Sequence, residues 1–373
     1  MTIEDQIMDL HNKGWSSRQI GQKVGRGKST VNDIIRRMKD VIEGNHPEKN
    51  ISGRSTLYKT DEDGNRFVLL EWVKESEQKK NDQLKEVLEG FKDELEPVFP
   101  VARVNKPGRE DLLNCYVLTD AHIGMLAWGE ECGDDWDTDI AEDRIVRFFE
   151  QAIENSPEAD SCVFAQLGDF LHYDSFEAIT PANKNVLDAD TRYHSLVRVA
   201  IRVVRKITSL LLQKYGHVHM IMCEGNHDPV SSVWLTEMFD TLYDLEDRIT
   251  VDTSPNPYHV YQWGDTSLFF THGHLKKRGA VDQVFAGQYR EVYGNTKFSY
   301  AHTGHLHNQQ VSETNLMIVE QHNTLSNRDA YAARHGFGSL NNAKVITYSK
   351  DFGEVARITV SSQMLETCKS RGR

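Results

Sequence analysis

The chain has 373 residues, 39% of them hydrophobic and 27% charged, with 15 Phe, 13 Tyr and 6 Trp. This composition excludes wholesale disorder and a collagen-like repeat, and the length predicts two or three domains. A net charge of -13 argues against a nucleic-acid partner for the chain as a whole, but the charge is unevenly spread. Cys115, Cys132, Cys162, Cys223 and Cys368 are scattered and form no C-x-x-C pair. They predict neither a disulfide framework nor a thiolate zinc site, and three of them sit in apolar runs as small hydrophobes. No apolar run is long enough to span a bilayer, and Met1 to Leu10 lacks the basic-then-apolar order of a secretory signal. A cytoplasmic location is expected.

Met1 to Asn45 carries eight Lys or Arg against six Asp or Glu, a local charge of +2 that leaves -15 for the remainder. The basic residues cluster from Lys13 to Lys39, where Asp33 is the single acid. Three helix-length pieces are predicted: Ile3 to His11, Ser17 to Val24 and Ser29 to Met38. Ser16 and Gln19 form a capping box, Gly25 ends the second helix, and Gly27 breaks the chain before the third. The string Gly25-Arg26-Gly27-Lys28-Ser29-Thr30 is no P-loop, because Gln22 stands where a glycine is needed and no strand precedes it. Three short helices with a glycine turn and a basic third helix resemble a helix-turn-helix of the transposase and sigma-factor type. The resemblance implies a small core of Trp15, Ile20, Val24, Val31 and Ile34, with Lys28, Ser29, Thr30, Asn32 and Arg36 facing DNA. A three-helix protein-docking module is the alternative for residues 1–45.

Residues 46–110 read as a connector, with a hairpin across Asp63-Gly64-Asn65 and a charged helix from Glu71 to Glu94. That helix is a solvated face or the contact of a homodimer. Pro97, Pro100 and Pro107 then break the chain. Within residues 111–373, strand-length apolar runs alternate with helical patterns. The runs are Leu113 to Leu118, Cys162 to Leu167, Val218 to Cys223, Leu268 to Thr271 and Phe298 to His302, then Leu316 to Glu320, Lys344 to Tyr348 and Val355 to Val360. Helices are predicted over Ala141 to Asn155 and Tyr193 to Tyr215. The alternation predicts an α/β domain with a partly parallel sheet.

Five of the runs end in polar clusters: Thr119-Asp120-Ala121-His122, Gly168-Asp169, Gly225-Asn226-His227-Asp228, Thr271-His272-Gly273-His274 and Gly304-His305-Leu306-His307. Ligands of open α/β sheets bind beyond the carboxyl ends of strands, so these clusters are expected to converge. Carboxylates, an amide and imidazoles without thiolates suit Mn, Fe, Zn, Co or Ni, and so many donors exceed the shell of one ion. Two divalent ions, Mn foremost, are the economical reading. Such a pair activates a water and clamps a phosphoryl group.

The motifs D-x-H, G-D, G-N-H-D, H-G-H and G-H-x-H, in this order, resemble those of the calcineurin-like metallophosphoesterase superfamily. The resemblance implies a sandwich of mixed sheets flanked by helices. It assigns Asp120, His122 and His307 to a first metal and Asn226, His272 and His305 to a second, with Asp169 as the bridge. His227 would stabilise the transition state or protonate the leaving oxygen, and Asp228 would orient its ring. His274 stays between ligand and pocket lining.

No arginine follows the second motif, unlike in phosphoprotein phosphatases. Asp120 to Gly124 together with Gly168 to His172 instead resembles the SbcD-type DNA repair nucleases, in which a histidine in the place of His172 helps position the scissile phosphate. Two features depart from that type. The acidic segment Trp128 to Asp139 would repel a polyanion or take up metal ions, and the chain ends soon after Val360, so no capping extension is expected. The expected function is a DNA nuclease of the phage or mobile-element recombination and repair type, tethered to DNA by its helix-turn-helix. The alternative is a DNA-binding regulator whose phosphatase domain acts on phosphoprotein or small phosphomonoesters.

Overall fold

Residues 3–13, 15, 17–26, 31, 34–35, 51–60, 66–75, 101–103, 106–338 and 340–365 are described by the computed structural model, and they fall into two units, Met1–Glu96 and Pro97–Arg373. In the first unit, α1 (Ile3–Asn12) and α2 (Ser17–Val24) carry apolar side chains at helical spacing. Ile7, Leu10 and Ile20 are buried with Val31 and Ile35, and Val24 and Ile34 pack against them. Val31, Ile34 and Ile35 are helical, whereas Lys28, Ser29, Thr30, Asn32 and Arg36 lie outside the described residues. Trp15 departs from the expected core. It is exposed, with Lys23 Nζ 4.8 Å from its ring centroid, and a cation over the indole face stabilises that position.

β1 (Ile51–Thr60) and β2 (Arg66–Glu75) pair antiparallel, and the turn between them lies outside the described residues. Glu71 stands opposite Thr56 and Trp72 opposite Ser55, which corrects the expectation of a helix beginning at Glu71. Phe67, Val68, Trp72 and Val73 are aromatic or β-branched and favour a pleated strand, a preference that outweighs the charged pattern beyond them. The rest of the expected helix lies outside the described residues.

In the second unit, β3 (Arg109–Leu118), β4 (Ala159–Gln166), β5 (His217–Met222) and β6 (Ile249–Val251) are parallel neighbours. Beyond β3 the sheet continues antiparallel through β12 (Asn342–Ser349) and β13 (Gly353–Ser361). A second sheet has the order β10 (Gln310–Glu313), β11 (Ile318–Gln321), β9 (Phe298–Thr303), β8 (Thr266–Phe270), β7 (His259–Trp263), and in it β11, β9 and β8 are parallel.

Alternation along the strands sorts their side chains. Leu113, Cys115 and Val117 of β3, Val163 and Ala165 of β4, Leu268 and Phe270 of β8 and Tyr300 of β9 share the core between the sheets. The opposite face of β3 and β4 packs on helices. Phe149 of α3 (Thr138–Asn155) lies 5.6 Å from Tyr116 and 5.3 Å from Phe164, ring centroid to centroid. Tyr215, just after α4 (Tyr193–Lys214), shares a 2.5 Å hydrogen bond with Tyr116. On the far face of the second sheet, Phe269, Ala301 and Val319 pack with Phe285 of α6, defined as Val281–Gln288, while α5 (Pro229–Leu242) follows β5. Helices thus flank two mixed sheets, the α/β sandwich expected from the sequence. No helix among the described residues is long and apolar enough to cross a membrane.

Between β11 of one sheet and β12 and β13 of the other, the contact is ionic. Glu320 and Lys344 are each 2% exposed, with Nζ 2.5 Å from the carboxylate, and Arg357 reaches it at 3.0 Å. Burial opposes charge on Glu320, but His322, Lys344 and Arg357 outweigh it and hold the carboxyl at about 2. Removing Glu320 strands the buried Lys344 ammonium without a carboxylate. Glu320→Ala is therefore expected to cost about 3–5 kcal/mol in urea unfolding. The double change Glu320→Leu with Lys344→Leu should cost much less, because Arg357 keeps Glu354 at 2.7 Å. Equal losses in the two variants would show that the pairing is not what the seam needs.

Candidate metal centre

β3, β4, β5, β8 and β9 all carry their polar clusters at the carboxyl end, and the loops are bonded to one another. The N–H of Asp120 donates to Gly168 O at 3.1 Å, that of His122 to Asp169 O at 3.0 Å, and that of Gly304 to His272 O at 2.9 Å. These bonds continue strand pairing past the strand ends. Asp120, His122, Asp169, His305 and His307 have φ between 43° and 75°, in the left-handed region. Each such residue costs about 1–3 kcal/mol and persists only where its surroundings enforce it. Two glycines make the approach possible: a Cβ on Gly225 would lie 2.1 Å from Asp169 N, and one on Gly304 1.9 Å from Thr119 Oγ1.

Four sets of side chains among the described residues bring three metal-ligating atoms together; His122, His172 and His227 form one without a carboxylate, and two at the strand ends each join an aspartate to imidazoles. In the first, His307 Nε2 lies 3.2 Å from Asp120 Oδ1 and 3.2 Å from His122 Nε2. Asp120 Oδ2 accepts from Thr119 Oγ1 at 2.6 Å and from the His305 N–H at 2.9 Å, while Oδ1 is buried without a hydrogen-bond donor. In the second, His272 donates Nδ1–H to Leu167 O at 2.8 Å. Its Nε2 is then 3.2 Å from Asp169 Oδ2 and 3.1 Å from Asn226 Oδ1, and His305 completes the group. A carbonyl can only accept, so with Nδ1–H committed to Leu167 O the Nε2 of His272 faces two acceptors and requires either a proton or a metal cation among them. Donors about 2.1 Å from a shared ion stand roughly 3 to 3.4 Å apart, the spacing found here.

Electrostatics agree. Asp120 is fully buried and Asp169 nearly so. Burial opposes their ionisation, yet His307 beside Asp120 and His272 beside Asp169 hold both carboxyls well below the usual range. Burial also opposes a charge on His272, but Asp169 and Asp120 outweigh it and raise its pKa to about 10. Each group is a well for positive charge. A further buried set, His302, Glu320 and His322, is not, because Lys344 and Arg357 already neutralise Glu320.

Beside the two groups, His227 is half-buried, donates Nδ1–H to His172 O at 2.8 Å, and keeps Nε2 unengaged by that bond. The expected contact of Asp228 with this ring is corrected. Its carboxylate accepts instead from the backbone N–H of Asp169, Gly225 and Leu171 at 3.1, 3.0 and 3.0 Å. Asp228 is 1% exposed at the start of α5, where loop N–H groups would otherwise be orphaned. Burial, with Asp169 close by, pushes its carboxyl up to about 8. His172 is buried, turns Nδ1 to His122 Nδ1 at 3.2 Å, and stacks on His227 at 5.4 Å. Burial and the neighbouring His227 push it down to about 3, so its ring is neutral. His274 is half-buried with Nδ1 unpartnered, its ring 5.3 Å from that of His272.

Sequence reasoning missed three supports. Thr324 and Ser326 donate their hydroxyls to Asp120 O at 2.6 and 2.9 Å, and Trp136 donates Nε1–H to His122 O at 3.4 Å. Only the polar run Asn323 to Asn327 after β11 hinted at them. The acidic segment is largely absorbed: Asp137 caps α3 through the Ile140 N–H, Asp135 accepts from the Gly129 N–H at 2.6 Å, and Glu131 pairs with Arg334 at 2.8 Å.

No family model and no curated protein matches the chain. Among solved structures it is similar to an archaeal phosphodiesterase, at 12% identity over 66% of this chain and 99% of that one, with a TM-score of 0.34. It is similar to wild-type Vps29 of Entamoeba histolytica complexed with zinc, at 10% identity over 67% and 99% of the two chains, TM-score 0.28. It is also similar to a 5′-nucleotidase of Candida albicans, at 12% identity over 71% and 56%, TM-score 0.33.

The two donor groups predict that calorimetric titration of the chelated protein with Mn²⁺ finds two sites per chain. His307→Ala and His305→Ala should each remove one. A single site in the parent protein would overturn the division into two groups.

Proposed function

We propose that the chain is a dinuclear metal-dependent phosphodiesterase acting on DNA. The observation that carries this reading is the pair of donor groups, each with its ligand atoms within 4.8 Å of one another, beside a histidine ring oriented through its Nδ1. Asp120, His122 and His307 would hold one ion, Asn226, His272 and His305 the other, with Asp169 between them. Divalent ions there, Mn or else Fe, Zn, Co or Ni, would acidify a water and polarise a phosphoryl group.

The chain's own residues supply orientation and the proton. The His172 carbonyl fixes His227 so that Nε2 can meet the leaving oxygen, and a protonated Nε2 releases its proton there as the ester bond breaks. Once His122 ligates through Nε2, its Nδ1–H donates to His172 Nδ1. His172 then keeps its own proton on Nε2, a neutral donor for a phosphate oxygen. Among the described residues, the His172 and His227 rings meet a main-chain carbonyl and other imidazoles, and a neutral donor suits the single charge of a diester. DNA as the substrate is supported by the basic N-terminal module, which would hold an acidic catalytic unit on a polyanion.

One assay tests the reading: Mn-dependent cleavage of end-labelled single- and double-stranded DNA by the full chain. Cleavage is expected, with none by Asp169→Ala and a roughly 10²–10⁴-fold loss in His227→Ala that still binds its ions. A chain lacking residues 1–45 should hydrolyse a small chromogenic diester normally but bind DNA more weakly and with less salt dependence. Hydrolysis of a phosphomonoester without DNA cleavage would favour a DNA-tethered phosphatase instead.

A further inference from the structure

Two segments leave the metal centre side by side and end in exposed aromatic side chains. One starts at His122, whose carbonyl is held by Trp136, and carries Leu126 and Trp128, 44% and 60% exposed. The other follows β11. There Thr324 and Ser326 hold the Asp120 carbonyl, Asn327 Nδ2 donates to Asp135 O at 2.8 Å, and Arg328 donates to Cys132 O at 2.9 Å. This second segment then forms the short helix Ala330–Arg334 and presents Tyr331, His335 and Phe337.

These three rings are exposed, Tyr331 by 64% and Phe337 by 58%, yet they are ordered against one another. Tyr331 and His335 lie 4.1 Å apart, and His335 and Phe337 lie 5.8 Å apart within 14° of parallel. His335 donates Nδ1–H to Tyr331 O at 2.8 Å, and Asp329 accepts from the Ala332 N–H at 2.7 Å, which ties the rings to one turn of backbone. Arg328 and Arg334 flank them, the latter joined to Glu131 on the neighbouring helix Gly129–Cys132 that begins after Trp128. Stacked rings left in water add little to folding stability. What they offer is π-faces beside guanidinium groups, anchored on the loops that carry Asp120 and His122.

We propose that Tyr331, His335 and Phe337 form a stacking platform for unpaired bases of single-stranded DNA whose backbone enters the metal centre. This inference rests on the DNA phosphodiesterase reading and names the substrate form. Every base presents a π-face, so stacking tolerates any sequence, and Arg328, whose guanidinium is held by the Cys132 carbonyl and, among the described residues, by no carboxylate, adds a positive charge beside the rings. A duplex keeps its base faces stacked inside and cannot use the platform. Single-stranded regions are therefore the preferred substrate, and the loss of one ring weakens binding without touching the bond-breaking step.

The test compares the full chain with Phe337→Ala, Tyr331→Ala and Phe337→Trp in Mn²⁺, on a single-stranded oligonucleotide and on a small chromogenic diester. Either alanine change is expected to raise KM for the oligonucleotide about tenfold or more. The oligonucleotide kcat and the hydrolysis of the small diester should be unchanged, and Phe337→Trp should restore KM. An unchanged KM in both alanine variants would overturn the platform. So would a dimer in size-exclusion chromatography that Phe337→Ala dissociates, which would make the rings a contact between copies. If the parent chain hydrolyses neither substrate, the phosphodiesterase reading fails. The platform is then judged separately by the fluorescence quenching of a single-stranded 2-aminopurine oligonucleotide, which the parent should cause and Phe337→Ala should lose.

Discussion

Two carboxylates buried at the edge of a β-sandwich, Asp120 and Asp169, are the constraint on which the rest of the second unit depends. An unpaired buried charge costs several kcal/mol, so each must face positive charge and hydrogen-bond donors. They follow β3 and β4, parallel neighbours in the centre of the six-stranded sheet. The bonds from Asp120 N to Gly168 O and from His122 N to Asp169 O set the two loops in register. The imidazoles that answer them come from the other sheet, His272 after β8 and His305 and His307 after β9. Packing of two sheets face to face is thus what brings acceptors and imidazoles to one edge.

Holding so many polar groups together requires bracing that takes no part in ligation. Five of the presumptive ligands adopt left-handed backbones, a strain of several kcal/mol in total that neighbouring bonds must hold in place. Asp228 does this on one side, where its carboxylate collects N–H groups from the loops after β4 and β5. Thr324 and Ser326 do it on the other by fixing the Asp120 carbonyl. A carboxylate placed inside a histidine-rich motif therefore serves the backbone, while the ring beside it is oriented by a main-chain carbonyl.

Much of this was legible because the central strands are buried on both faces. Leu113 to Leu118, Cys162 to Leu167 and Val218 to Cys223 stand out as apolar runs each interrupted by a single polar residue, Asn114, Gln166 and His219, and the glycines and histidines that follow them mark where each chain turns over the edge. The short strands β6, β7 and β10 escaped notice because they are only partly buried and lack such runs. α5 escaped because Val230 and Val233 are exposed on it, which blurs its apolar face. The bracing by Thr324 and Ser326 leaves no local periodic signal, since its partner lies some two hundred residues earlier. Trp15 and Glu71 were misjudged for a different reason: a cation over an indole and a cross-strand partner are tertiary circumstances that local pattern does not contain.

The acidic segment of the second unit is partly used up within the fold. Asp137 caps α3, Asp135 accepts from the Gly129 N–H and Glu131 is paired, so the segment after the first motif spends half of its six acids on local structure. A polyanion meeting this edge would face a neutral Glu131–Arg334 pair, Arg328 and aromatic rings on the same two segments. On the proposed reading, long-range attraction belongs to the basic N-terminal module and weakens with salt, whereas stacking on Tyr331, His335 and Phe337 acts at contact and depends on salt far less. On the same reading, a chain whose net charge is -13 would hold DNA close to the proposed metal centre without a continuous basic surface, because the part that attracts and the part that grips need not be the same.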